Sequence, residues 1–256
     1  MLISLLLGIG FIAGTILLML GVYWVTRRAA GESHDSHTRD LAGSVMTRVA
    51  TLHGLILALV FAQEMVGYVQ VRSISINEAD AVADVYYDAG RYGGNSAKTI
   101  QDALYSYASL AVSPEWQQLG ATGDLSQEAW NAWDKAYDQV LDLAPASPRE
   151  ASLRDHMLQQ IHQISTARVA RGNQDDESIS GLFWLAAIAG VVFIAIAYHS
   201  YPPTRHNLAF IAILGAYTGI ILFFIYAFSN PFSEPGALKP HAFEKLLLEL
   251  SQSRSG

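Results

Sequence analysis

One acidic side chain, Glu64, stands inside a long apolar run, and one histidine, His53, precedes it in the same run. Their spacing completes three helical turns plus roughly 20°, so on a single helix both project from one face about 16 Å apart. Tyr68 prolongs that stripe by one more turn, and Gln63 lies to its side. An ionisable group within an apolar span is costly in lipid and by default faces protein, water or a partner. Repeated around an oligomer, the stripe would line a water-filled path with rings of polar side chains. The plainer alternative is that His53 seals a helix contact near the inner surface while Glu64 lies close enough to the outer surface to be solvated.

Other chemistry is weakly represented. His34-Asp35-Ser36-His37 has the residue types of a metal site, but two histidines in a polar loop do not complete a ligand set, so no metal and no cofactor is expected. The chain contains no Gly-x-Ser-x-Gly, no His-Glu-x-x-His and no glycine-rich phosphate or dinucleotide fingerprint, which argues against an enzyme. The absence of cysteine excludes disulfides and thiolate metal sites. Trp130, Trp133 and Tyr137 share a helical face and, with Trp116, read as domain core rather than as a ligand cage.

The elements that must position these residues follow from the hydropathy pattern. Of the 256 residues 51% are hydrophobic, and they come in blocks. A bilayer core needs roughly 20 apolar helical residues to cross it. Four stretches qualify: residues 1–26, 49–71, 179–200 and 208–229. The first lacks basic residues at its start and an Ala-x-Ala cleavage site at its end, so it reads as a retained helix rather than a signal peptide. Arg27 and Arg28 follow it directly; with Arg39, Arg48 and Arg205 they place the 27–48 loop and the 201–207 turn in the cytoplasm. Both termini, the 72–178 segment and the 230–256 tail then lie outside. Most of the acidic residues fall on that outer side and carry the net charge of −7. Such a surface repels nucleic acid.

Between residues 72 and 178 the pattern is helical, with no alternation long enough for a sheet. Ser73 to Ala89 continues the second span, Lys98 to Val112 forms the next helix, and Ser113-Pro114 restarts a short turn carrying Trp116. The stretch from Gly120 to Gly123 reads as a loop. Ser126 opens another helix, ended by Pro145 and Pro148, and Leu153, Met157, Ile161, Ile164 and Arg168 make a final stripe. The expected fold is all-α: four transmembrane helices with an extracytosolic helical bundle inserted between spans 2 and 3. In the tail, Phe243, Leu246, Leu247 and Leu250 form an amphipathic face that suits either the bundle or the membrane surface. Small residues recur four apart, as Gly10 and Gly14, Ala186 and Gly190, and Gly215 and Gly219, and permit close helix packing within or between subunits.

The run Arg48-Val49-Ala50-Thr51-Leu52-His53-Gly54-Leu55, then Ala58-Leu59-Val60-Phe61, Arg72 and the Asn77-Glu78-Ala79 helix, resembles the bestrophin-like family of bacterial membrane proteins. The likeness continues through Tyr105-Ser106-Tyr107, Glu115-Trp116, Arg168 and Arg171, and Asn230-Pro231-Phe232 with Gly236. It implies kinship with bestrophins, which are oligomeric, typically pentameric, four-span anion channels with an aromatic-lined neck and a cytosolic helical domain. This chain departs from them in its charge-derived orientation and in having no run of consecutive aromatic residues on the second span. Acidic charge outside, with Glu64 nearby, favours cations at the mouth. The expected function is a homo-oligomeric channel carrying inorganic ions across the lipid bilayer past His53, Gln63, Glu64 and Tyr68. The alternative is a non-conducting envelope protein whose acidic helical domain binds a partner or senses a signal.

Overall fold

A computed structural model describes residues 2–31, 36–173 and 181–255. His34 and Asp35 of the candidate metal motif, and the first residues of the third apolar stretch, lie outside the described residues. The described chain is helical throughout, without a strand. In order the helices are α1 (Leu2–Ala30), α2 (Ser36–Tyr92), α3 (Gly94–Leu110), α4 (Trp116–Thr122), α5 (Gln127–Leu141), α6 (Pro148–Asn173), α7 (Gly181–Tyr198), α8 (Arg205–Phe228) and α9 (His241–Ser255). A π-helical turn, Ala111–Glu115, joins α3 to α4 and contains an extended residue, Ser113, ahead of Pro114. Among the described residues four helices, α1, α2, α7 and α8, are long and apolar enough to cross a membrane.

Two expectations need correction. Much of the 27–48 segment is helical, because α1 runs to Ala30 and α2 begins at Ser36. Gly120 lies inside α4 instead of in a loop. Its role is steric: a Cβ there would stand 2.5 Å from the carbonyl oxygen of Phe232, so only glycine lets the helix meet that backbone. Gly123, at φ 75°, then ends α4 in the left-handed conformation.

The chain divides into two compact units. The first comprises residues 1–67, 179–229 and 234–236. Here α1 and α8 approach closely because Gly215 and Gly219 have no side chain: a Cβ at Gly219 would lie 2.8 Å from Ile12 Cα, and one at Gly215 3.0 Å from Ile16 Cα. Within lipid no hydrophobic force drives helices together, so van der Waals contact and hydrogen bonds must serve. Thr15 supplies one, its hydroxyl donating to the Gly215 carbonyl at 2.8 Å. Tyr23 and Arg27 donate to carbonyls of the turn after α7, at 2.9 Å to Tyr201 from the phenol and 3.2 Å to His199 from the guanidinium.

The second unit comprises residues 68–178, 230–233 and 237–256. Its core is a conventional one, in which Val82, Val85, Ile100, Leu104, Met157 and Ile161 are all fully buried. Each such side chain contributes about 1.5–3 kcal/mol by leaving water. Ser126 caps α5 by accepting from the Ala129 amide, and Gly93 and Gly94, both at positive φ, turn the chain between α2 and α3. The amphipathic tail helix α9 belongs to this core through buried Phe243, Leu246 and Leu250.

Candidate functional site

Among the described residues of the second unit, four charged side chains are completely buried: Glu78 from α2, Glu115 from the π-helical turn, and Arg168 and Arg171 from one face of α6. Their helix positions explain the encounter. Arg168 occupies the inward register set by Met157, Ile161 and Ile164, and Arg171 follows one turn later on the same face. Burying a charge is severely unfavourable unless it is paired and hydrogen-bonded, and here both conditions hold. Arg171 grips Glu78 with two bonds, Nε to Oε2 at 2.8 Å and Nη2 to Oε1 at 3.0 Å, and reaches Glu115 Oε1 at 2.7 Å with the same Nη2. Arg168 pairs with Glu115 through Nη2 and through Nε at 3.3 Å, and donates to the Ser126 carbonyl at 2.7 Å. The Ser126 amide returns a bond to Glu115 Oε2 at 2.9 Å.

Tyr107 completes the cluster by donating its phenol to Glu78 Oε1 at 2.5 Å. Burial, and then the negative charge of Glu78, push its ionisation well above the ordinary tyrosine range, so it remains a donor at neutral pH. For Arg171 burial works toward loss of the proton, but Glu78 and Glu115 outweigh it and raise the pKa further. The Nη1 atoms of both arginines are buried without a hydrogen-bond partner. Indole faces stand in: the Arg168 guanidinium lies 4.4 Å from the ring centre of Trp130, and that of Arg171 lies 5.6 Å from Trp116. Every carboxylate oxygen is already committed to a donor and none is solvent-exposed. The cluster is therefore built as a lock between α2, α3, α6 and the π-helical turn.

Beside it the second unit holds a cavity of about 650 Å³ between the early turns of the domain part of α2 and the 237–249 segment. Ile76, Ala79, Ala83, Trp116, Leu238 and Leu246 supply apolar wall; Arg72, Lys239 and Lys245 supply positive charge, with Asp80 and Glu249 opposite in sign. Trp116 borders both features, since its ring faces Arg171 and its indole N–H donates to the Leu238 carbonyl at 2.8 Å.

The residues singled out from sequence occupy several environments. His53 is buried, 6% exposed, against Gly190 of α7, where a Cβ would stand 2.1 Å from its Nδ1. Glu64 is half-buried on the same face of α2, and Tyr68 is half-buried and lines the cavity. Gln63 is exposed. Gly190, Gly215 and Gly219 pack inside the unit, whereas a Cβ at Gly10 or Gly14 would meet nothing within 4 Å. Those two glycines line an apolar groove with Phe11, Trp184 and Ile188. Among the described residues no group of three or more His, Cys, Asp or Glu side chains could hold a metal ion.

The family's sequence model, that of the bestrophin-like domain, matches residues 13–243. The chain belongs to the bestrophin-like family. No characterised protein and no solved structure matches it. The matched interval contains the whole buried cluster of this bestrophin-like chain and His53, Gln63, Glu64 and Tyr68. Sequence reasoning missed the cluster as a site, although two signals were present: Arg168 stands in the apolar stripe of α6, where a cation requires a buried partner, and Glu78, Tyr107, Glu115, Arg168 and Arg171 all lie in the motifs that carry the family resemblance.

Proposed function

We propose that this bestrophin-like protein is a homo-oligomeric, channel-type protein of a bacterial inner membrane, in which the second spans of several copies line a path for inorganic ions. The observation that carries this reading is the cover of α2. It is the least buried of the four candidate spans, with 11% of its most apolar window covered against 17%, 28% and 33% for the others. Gly54, Ala58 and Ala62, four residues apart, lie along its open face, and exposed Gln63 and Gln70 lie on its flank. Small residues suit helix contact between copies, and polar side chains at their margin suit water. His53 then anchors α2 to α7, Glu64 and Tyr68 stand behind the path on that same packed side of α2, and Gln63 borders the path itself. The topology proposed is four spans, with the 72–178 domain, the tail and the amino terminus outside.

Mass photometry of nanodisc-embedded protein tests the assembly, for which a closed ring of four or more copies is expected. In vesicles Gln63→Leu and Glu64→Gln should alter ion flux or its selectivity; unchanged flux in both would sink the pathway.

A non-conducting binding or sensing role is favoured by one observation. His53 and Glu64 share the face of α2 that includes buried Leu57, while the helical domain carries a cavity of its own. In that case the purified protein is a monomer or dimer and flux stays at background.

A further inference from the structure

The cavity in the helical domain has the composition of a binding site, and its charges are not all spoken for. Lys245 pairs with Glu249 at 3.6 Å, and His241 with Glu244 at 2.8 Å. Among the described residues no carboxylate lies within ion-pair distance of Arg72 or Lys239, although both line the cavity and are exposed. Arg72 is also the first charged residue after the apolar stretch of α2. The apolar part of the lining is formed by Ile76, Ala79, Ala83, Trp116 and Leu246. The volume, about 650 Å³, lies within the range of small-molecule sites.

Two free cations and an apolar wall within one cavity select a ligand with an anionic head and a hydrocarbon body. A purely polar anion would leave the wall unused, and a neutral hydrocarbon would leave Arg72 and Lys239 unmatched. Asp80, about two turns along α2 from Arg72, disfavours a second negative charge further along the ligand. We propose that this cavity binds an anionic amphiphile, with its carboxylate or phosphate on Arg72 and Lys239 and its chain against Ile76, Ala79, Trp116 and Leu246. The site is independent of whether the protein conducts. Its occupant has two possible sources, a free single-chain acid or the headgroup end of an acidic membrane lipid.

Trp116 provides the readout, because it borders the cavity. Full-length protein in nanodiscs of zwitterionic lipid is titrated with dodecanoate while tryptophan emission is followed, with Trp116→Phe as the reference. Dodecanoate should produce a saturable change that Trp116→Phe abolishes, and dodecanol should bind at least tenfold more weakly. A hydrogen bond to a charged group contributes roughly tenfold or more in affinity, so Arg72→Gln and Lys239→Gln should each weaken binding about tenfold and the double variant more. Unchanged thermal unfolding of these exposed-site variants verifies their fold. Repeating the titration in nanodiscs containing phosphatidylglycerol separates the sources: competition, with the emission already shifted, identifies the lipid headgroup, and an unchanged titration identifies the free acid. Equal binding of dodecanol and dodecanoate, equal binding by the double variant, or no response in either nanodisc overturns the proposal. None of these outcomes depends on ion flux or on subunit number.

Discussion

The two units bury polar groups by opposite means. In the apolar unit a single imidazole, His53, is received by the bare backbone of Gly190, and Thr15 returns its hydroxyl to carbonyls, including that of Gly215. In the helical domain two carboxylates, two guanidiniums and a phenol are buried together and bonded into one network. The difference follows from the solvent each unit is built for. Helices in lipid gain nothing by hiding apolar surface from one another, so they gain by backbone proximity at small residues. A water-facing bundle gains heavily from its apolar core and can offset the desolvation of a matched ionic cluster.

The comparison is broken most severely by unbalancing the cluster. Arg171→Leu leaves Glu78 with only the Tyr107 phenol and removes a donor from Glu115, so it should destabilise the domain by about 3–5 kcal/mol, read from denaturant unfolding followed by tryptophan emission. A loss under about 1 kcal/mol would mean that the cluster is solvated or replaceable.

Tyr107→Phe removes one hydrogen bond to a charged group and should cost about 1.5–3 kcal/mol at neutral pH. It also predicts a pH signature. The folded-state pKa of Tyr107 is raised above its ordinary 10.0, so its contribution is fully present below pH 10 and is lost as pH climbs from there through the raised value, where only the unfolded chain first ionises. Wild-type stability should therefore fall more steeply above pH 10 than that of Tyr107→Phe. Equal slopes would remove the phenol from the buried cluster.

In the apolar unit the effects are steric. Gly219→Ala sets a methyl 2.3 Å from the Thr15 hydroxyl and 2.8 Å from Ile12 Cα, and should cost about 1–3 kcal/mol in a steric-trap or thermal assay in detergent. Gly14→Ala, into open space, should change monomer stability by less than about 0.5 kcal/mol. A large effect of Gly14→Ala confined to the assembled state would assign the Gly10 and Gly14 groove to contact between copies.

Much of the architecture was legible before any coordinates. Hydropathy and helix punctuation marked the four long apolar helices, the continuation of the second into the domain and the opening of α5 at Ser126. Packing decided what remained. Gly120 looked like a loop residue because glycine breaks isolated helices, but its helix is held by the Phe232 backbone, more than a hundred residues away in sequence. The small-residue pairs were visible as pairs, yet nothing local separates Gly215 and Gly219, which face α1, from Gly10 and Gly14, where a Cβ would meet nothing within 4 Å. The ionic cluster was the least legible feature, since Glu78, Glu115 and the α6 arginines come from three distant segments. The cation in the α6 stripe hinted at it, and the family resemblance ran through all five of its residues without showing that they meet.

The docking of α9 bears on how the protein is made. Phe243, Leu246 and Leu250 fill the core begun by residues 79–164, so translation must deliver α7, α8 and the tail before that core can close. Until then the nascent domain exposes the surface that Phe243 covers. Shortening the chain before residue 243 would act as a folding lesion in a domain encoded far upstream.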